Sequence, residues 1–305
     1  MNFLVIGSGA REHIIAEKLS RSGSSVCSVL TNLNPGLLEL SSSTHSVDNF
    51  NSDKSKKSIL EFAQKSSIDC VVIGPEDPLA NGYSDIFLKQ KIPVVGPTKL
   101  LTQIESSKGF TRDLLRKYDI HASPNYKRFE SVNGASEFMD ELGGEFVIKF
   151  DGLMGGKGVK LSGEYLASKE EALEYCKEII SNLGTFVIEE KIFGEEFSLM
   201  SFCDGKHCAH MPAVQDHKRA FEGDVGPNTG GMGTYSFEDH SLPFLLEEEI
   251  LDAQKTNERV LRKLKELTGN NFKGVLYGGF MATKSGVKVI EYNARLGDPE
   301  AMNVL

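Results

Sequence analysis

FVIKFDGLMGGKGV, residues Phe146–Val159, decides the fold. An apolar strand carries Lys149 and breaks into a glycine-rich turn, and Val159 opens a second strand. Gly155, Gly156 and Gly158 let backbone approach a polyphosphate closely and line up N–H donors, while Lys149 and Lys157 add fixed positive charge. The Walker pattern G-x-x-x-x-G-K-[ST] is absent. What remains is a plain hairpin or a flexible flap able to close over phosphates.

Downstream, FVIEEK (Phe186–Lys191) is an apolar strand ending in two acids, with Glu195 and Glu196 beyond. It reads as an exposed acidic turn or as a crossing strand that offers backbone to an adenine edge and a carboxylate to ribose hydroxyls. In VIEYN (Val289–Asn293), Glu291 and Asn293 share one strand face at period two. A carboxylate and an amide oxygen side by side are hard ligands suited to Mg²⁺, with phosphates completing the shell. Arg295 follows, placed to clamp a phosphoryl group or another anion. Gln215–Arg219 is a dense charged cluster, and Gly226–Gly233 holds four glycines in eight residues.

Upstream, short β-branched strands alternate with helices. Strands are expected at Asn2–Ile6, Val26–Leu30, Cys70–Ile73 and Pro93–Val95, and helices at Arg11–Arg21, Ser55–Lys65 and Ser84–Lys89, which implies parallel βαβ units. The serine-rich stretches Ser41–Ser46 and Ser52–Ser58 read as loops. One long helix is expected over Lys99–Tyr118. The loop Gly7–His13 lies where a dinucleotide fingerprint would, but Glu12 replaces its third glycine, and no acid follows near Thr31 or Asn32 to hold a ribose. The loop is a tight turn or, at a helix N-terminus, an anion site. Gly74–Pro78 ends a strand, where Glu76 either accepts from sugar hydroxyls or sits in a proline-stiffened turn.

The 305 residues suffice for two or three packed units, and no apolar run of 18 residues occurs. Net charge −9 argues against nucleic acid and acidic membrane as partners. The five cysteines are scattered without a CxxC, which fits a reduced, cytoplasmic protein rather than a disulfide framework or zinc site. No Ser–His–Asp or Cys–His pattern supports covalent hydrolase chemistry.

In this order, IGSGAREH, GPEDPL, GPT, SKGFTRD (Ser107–Asp113), IKFDGLMGGKGV, IEEKIFGEE, QDHKR, GPNTGGMGTYS and VIEYNARLGDPE resemble the ATP-grasp superfamily and, within it, the phosphoribosylamine–glycine ligase family. The resemblance implies a mixed α/β and α+β chain. A parallel-sheet substrate domain over residues 1–102 would precede an ATP-grasp domain over 103–305, with a lid at 124–191. The further domain that members carry after GDPE would be absent, leaving open a nucleotide-binding fragment inactive by itself; a ligase for another carboxylate is the other alternative. The implied reaction is glycine plus 5-phosphoribosylamine plus ATP, through glycyl phosphate, in purine biosynthesis. It also implies that Lys108 and Lys149 contact phosphates under the Gly155–Gly158 flap. Glu189, Glu190 and Lys191 would form the adenine hinge, and Glu196 would hold ribose. Glu291 and Asn293 would bind Mg²⁺ or Mn²⁺; Gly274–Thr283 offers no further acid. Asp216 and Arg295 would lie near glycine and the sugar phosphate, and Gly9, Arg11 and Glu76 would face phosphoribosylamine.

Overall fold

A computed structural model describes residues 1–155, 158–182, 184–223 and 225–305. The first sheet is parallel, ordered Ser43–Ser46, Ser25–Leu30, Asn2–Ile6, Cys70–Ile73, Val94–Val95. Strand order reverses between Asn2–Ile6 and Cys70–Ile73, so the loops leaving their carboxyl ends, Gly7–Gly9 and Gly74–Glu76, flank one crevice. The expected serine loops are corrected here. Ser43–Ser46 is the edge strand, its backbone ladder with Ser25–Leu30 overriding weak side-chain propensity. Ser52 is an N-cap whose hydroxyl accepts from the Ser55 N–H and starts the helix Asp53–Lys65.

The expected helix Lys99–Tyr118 is also corrected: it is broken into Gln103–Ser106 and Lys108–Lys117. Ser107 is extended (φ −138°, ψ 112°) and its side chain accepts from the Phe110 N–H, so a new helix starts there with Lys108 in its first turn.

A four-stranded antiparallel sheet follows, ordered Tyr126–Phe129, Phe186–Glu190, Phe146–Phe150, Val159–Leu161. Helices Ala135–Glu141 and Lys169–Asn182 cover it, burying Phe138, Ala172, Cys176 and Ile179 against Phe129, Ile148 and Phe186. A five-stranded antiparallel sheet completes the chain: Thr234–Tyr235, Cys208–Asp216, Glu195–Asp204, Lys273–Thr283, Gly286–Asn293. Helix Glu247–Thr268 packs behind it through Ala253, Val260 and Leu264. One apolar cluster joins this sheet to the N-terminal one, including Leu4, Ile73, Phe197 and Leu276, whereas the four-stranded unit keeps a core of its own. No helix among the described residues is long and apolar enough to cross a membrane.

Candidate active site

These three larger sheets face a common cleft of about 1400 Å³. Gly9, Arg11, Glu76, Lys149, Gly155, Glu189, Glu190, Lys191, Glu196, Asp216, Glu291, Asn293 and Arg295 all line it. Lys108 stands just behind, in a chamber shared with Glu105, Arg112, Glu189 and Glu291, and donates to the Gly152 carbonyl at 2.8 Å. Gly158 follows the flap tip and accepts from the Phe150 N–H. Gly156 and Lys157 lie outside the described residues.

On the flap side, register decides the contacts. Val147 pairs with Glu189 and Lys149 with Val187, so Lys149 and Glu189 are diagonal neighbours on one face. The Lys149 ammonium meets the Glu189 carboxylate at 2.8 Å and donates to the Ile290 carbonyl at 3.0 Å. Arg112 reaches the same carboxylate with two nitrogens, each at 2.7 Å. It also donates to the carbonyls of Val289 at 2.9 Å and Ile290 at 2.7 Å. All three side chains are buried. Burial by itself would raise the Glu189 pKa, but the Arg112 and Lys149 charges outweigh it and hold the carboxyl at about 2. Burial pulls the Lys149 ammonium below its ordinary value, with the Arg112 charge adding to the same direction. Arg112 stood unremarked within SKGFTRD; a cation one turn along a helix gives no local sign of its partner.

At the expected hinge, several polar groups already have partners within the chain. The strand stays in its sheet through Glu190, and the N–H groups of Glu190 and Lys191 already donate to the carbonyls of Asn125 (2.9 Å) and Glu145 (3.0 Å). The Glu189 side chain is spent on Arg112 and Lys149, and the Lys191 ammonium on Glu164 at 3.2 Å and the Ser162 carbonyl at 3.1 Å. Glu196 forms an ion pair with Lys218. Ile192 and Phe193, which the sequence did not single out, also line the cleft.

Glu291 and Asn293 project side by side, with the Asn293 amide 3.5 Å from the Glu291 carboxylate. Glu291 is desolvated, yet Lys218, Lys108 and Lys149 hold its pKa below the usual range, so it stays an anion. Turning the amide oxygen inward would give two hard oxygen donors. Among the described residues no group of three acids, histidines or cysteines forms a complete metal cage. This donor set therefore fits an ion that shares its shell with phosphate oxygens and water.

The opposite side is built on Arg295. Its Nε lies 3.1 Å from Glu105 and 3.7 Å from Glu76. Glu105 also accepts from the Ala294 N–H at 2.8 Å, which fixes the chain just after the acid–amide pair. Although burial would raise Glu76, the Arg295 charge brings it below its ordinary value. At the glycine loop the helix N-terminus is met from within the chain. Glu12 reaches back to the Gly9 N–H at 2.6 Å and binds Arg11 at 2.6 Å, so the helix N-terminus holds an internal carboxylate. Gly7 and Gly74 make room for it: a Cβ on Gly74 would stand 1.9 Å from the Glu12 carboxylate. Arg11 further donates to the Leu296 carbonyl at 3.2 Å.

Between the two sides, Gly226–Gly233 is zipped onto Gln215–Arg219. The Thr229 N–H donates to Lys218 and Met232 to His217, both at 2.7 Å, and His217 donates to Gly233 at 2.9 Å. Asp216 is left with its Oδ1 buried and without a hydrogen-bond partner among the described residues. Burial first, then the nearby Glu300 charge, push its pKa up to about 7 against the opposing Lys218.

A glycine-rich flap on one antiparallel sheet, closing toward an acid–amide pair on another, defines an ATP-grasp protein, a class of enzymes that use ATP. Family models divide the chain between the phosphoribosylglycinamide synthetase N domain (residues 1–105) and the ATP-grasp (A) domain of the same synthetase (106–301). A phosphoribosylamine–glycine ligase of Methanocorpusculum labreanum is 45% identical over 306 residues, covering 100% of this chain and 69% of its relative. That of Methanococcus maripaludis is 47% identical over 313 residues, again covering 100% and 69%. The crystal structure of the Thermotoga maritima phosphoribosylamine–glycine ligase superposes with TM-score 0.79 at 30% identity, over 99% of this chain and 70% of that one. The chain belongs to the phosphoribosylglycinamide synthetase family.

Proposed function

We propose that the chain joins glycine to 5-phosphoribosylamine, with ATP giving ADP and phosphate, to form glycinamide ribonucleotide in purine biosynthesis. The observation that supports this reading best is convergence. Lys149, the unpaired Asp216, and the Glu291–Asn293 pair with Arg295 come from three separate stretches and face one cleft.

In this reading the nucleotide lies between the flap sheet and the strand Gly286–Asn293. Lys149 and Lys108 face its phosphates, with the Gly155 and Gly158 backbone above. The adenine rests against the chain from Glu190 to Phe193, and Glu196 exchanges Lys218 for the ribose. Glu291 and Asn293 hold Mg²⁺ or Mn²⁺, which neutralises charge on the phosphate oxygens. A glycine carboxylate oxygen attacks the γ-phosphorus and ADP leaves, giving glycyl phosphate. The amine of phosphoribosylamine then attacks the acyl carbon and phosphate leaves. Arg295 steadies the anionic groups in transit, and Asp216 holds the glycine ammonium, the cation its orphaned oxygen lacks. Gly9, Arg11 and Glu76 line the phosphoribosylamine end; with Glu12 occupying the helix N-terminus, they bind sugar rather than cradle a phosphate there. Catalysis is positioning plus charge stabilisation.

The test is ADP release in the presence of Mg²⁺ and ATP, which is expected to require both glycine and phosphoribosylamine. Turnover with a different carboxylate but not with glycine would assign another ATP-grasp ligation. Calorimetric Mg-ATP binding without any ADP release would leave only nucleotide binding.

A further inference from the structure

Two cysteines far from the cleft face one another across a hairpin. Cys203 ends the strand Glu195–Asp204, Cys208 opens the strand Cys208–Asp216, and the two are direct cross-strand partners. Their sulfurs stand 3.9 Å apart. The Asp204 N–H donates to the His207 carbonyl inside this pair, closing the turn. Bonded and non-bonded pairs alternate along an antiparallel ladder, so Cys203 and Cys208 occupy a non-hydrogen-bonded position, where side chains approach most closely. Cα atoms opposite each other there are about 4.5 Å apart, within the span a disulfide bridges without backbone movement. Cys27, Cys70 and Cys176 are free and buried.

We propose that Cys203 and Cys208 are a peroxide-reactive dithiol that closes to an intrachain disulfide. The two members are unequal, as such chemistry requires. Cys208 is partly exposed, whereas Cys203 is buried in the main core. The two sulfurs are in contact at 3.9 Å, with Cys203 also 3.3 Å from the Ser201 carbonyl, and the contact with Cys203 draws the Cys208 thiol below its usual range, favouring thiolate at the accessible sulfur. That thiolate attacks one oxygen of hydrogen peroxide, breaking the O–O bond and leaving a sulfenic acid, while the other oxygen departs as water after taking up a proton. Cys203 then attacks the Cys208 sulfur. The S–O bond breaks, the hydroxyl leaves with the Cys203 proton as a second water, and the sulfur–sulfur bond forms. Two thiols have lost two electrons and two protons to one peroxide. The bridge forms well away from the chemistry: Glu196 and Cys203 are separated by most of a strand, roughly 23 Å at about 3.3 Å per residue.

The experiment treats the intact chain with hydrogen peroxide, alkylates remaining thiols under denaturing conditions, and maps tryptic peptides by mass. Lys206 lies between the two cysteines, so trypsin separates them. The expected product is residues 192–206 joined to 207–218 through a bond that a reductant opens. Alkylatable thiols fall by two, and Cys27, Cys70 and Cys176 stay reactive on denaturation. Cys208→Ser is expected to abolish the joined product, and Cys203→Ser to leave a sulfenic acid at Cys208 that a cyclic dione captures. The proposal is overturned if Cys208 proceeds to sulfinic acid with Cys203 still alkylatable. It is equally overturned if bridges form only between chains, or if both thiols survive peroxide that oxidises dithiothreitol in the same tube. The peptide map of the unsubstituted chain decides this even where a serine variant fails to fold.

Discussion

The two sides of the cleft handle charge in opposite ways. On the flap side, Arg112, Glu189 and Lys149 form a closed set: every charge has a partner before any ligand arrives. On the other side, Asp216 keeps a buried oxygen with no hydrogen-bond partner among the described residues, near Glu196, Asp298 and Glu300. A closed set fixes geometry, because removing one member strands another in low dielectric. An open one stores an interaction for a ligand, at a cost to the empty protein. In the proposed reading Lys149 would leave Glu189 for a phosphate while Arg112 still neutralises the carboxylate. Asp216 has no such substitute.

The contrast breaks most severely at Arg112. Arg112→Met leaves Glu189 with half its counter-charge and takes the arginine donor from the Val289 and Ile290 carbonyls, of which Ile290 keeps Lys149, and is expected to cost about 3–5 kcal/mol of stability. Urea unfolding measures it; a loss below about 1 kcal/mol would mean that Arg112 is not holding the sheets together. Lys149→Met keeps the Arg112–Glu189 pair. It is expected to fold but to lower kcat by about 10²–10³, the usual effect of deleting one preorganised donor to a developing charge. ADP release against an unfolding curve separates the two variants. Glu291→Gln is expected to weaken Mg²⁺ dependence by on the order of 10–100-fold, as removals near metal ligands do, and to be partly recovered at higher metal concentration. Titrating activity with Mg²⁺ tests it; an unchanged midpoint would remove Glu291 from the metal site.

The smallest effect reverses sign between the two sides. Glu189 has a depressed pKa in the fold, so its contribution is present above the unfolded carboxylate range and is lost as pH falls toward about 2. Asp216 has a raised one, so the folded protein holds an extra proton above pH 4. That advantage is complete below the unfolded value and is lost as pH rises through about 7. Asp216→Asn, neutral throughout, is expected to flatten the decline between pH 4 and 7 and to gain about 1 kcal/mol at pH 8 after allowing for solvent screening. Unfolding curves at pH 5 and pH 8 check it, and equal differences at both would contradict the unpaired carboxylate. The same variant is expected to raise the KM for glycine.

Much of this was legible along the chain because it is local. Alternation at period two put Glu291 and Asn293 on one face, and glycine spacing marked the flap. The succession of motifs was enough to place the chain in its superfamily. The failures were local signals overruled or local signals missing. Ser107 reads as one more helical residue until its hydroxyl caps the following turn, and Glu12 reads as a failed glycine until it is found inside the turn that Gly7 and Gly74 leave open. Tertiary structure alone decided the pairings: Arg112 meets Glu189 77 residues away, Arg295 meets Glu105 across 190, and Arg11 meets Leu296 across 285. A side chain's charge is written in the sequence, but whether that charge is met depends on which strands lie opposite. That is why the sequence could name ion-bearing residues that line the cleft, and only the folded chain could separate those already satisfied from Asp216, left without a partner among the described residues.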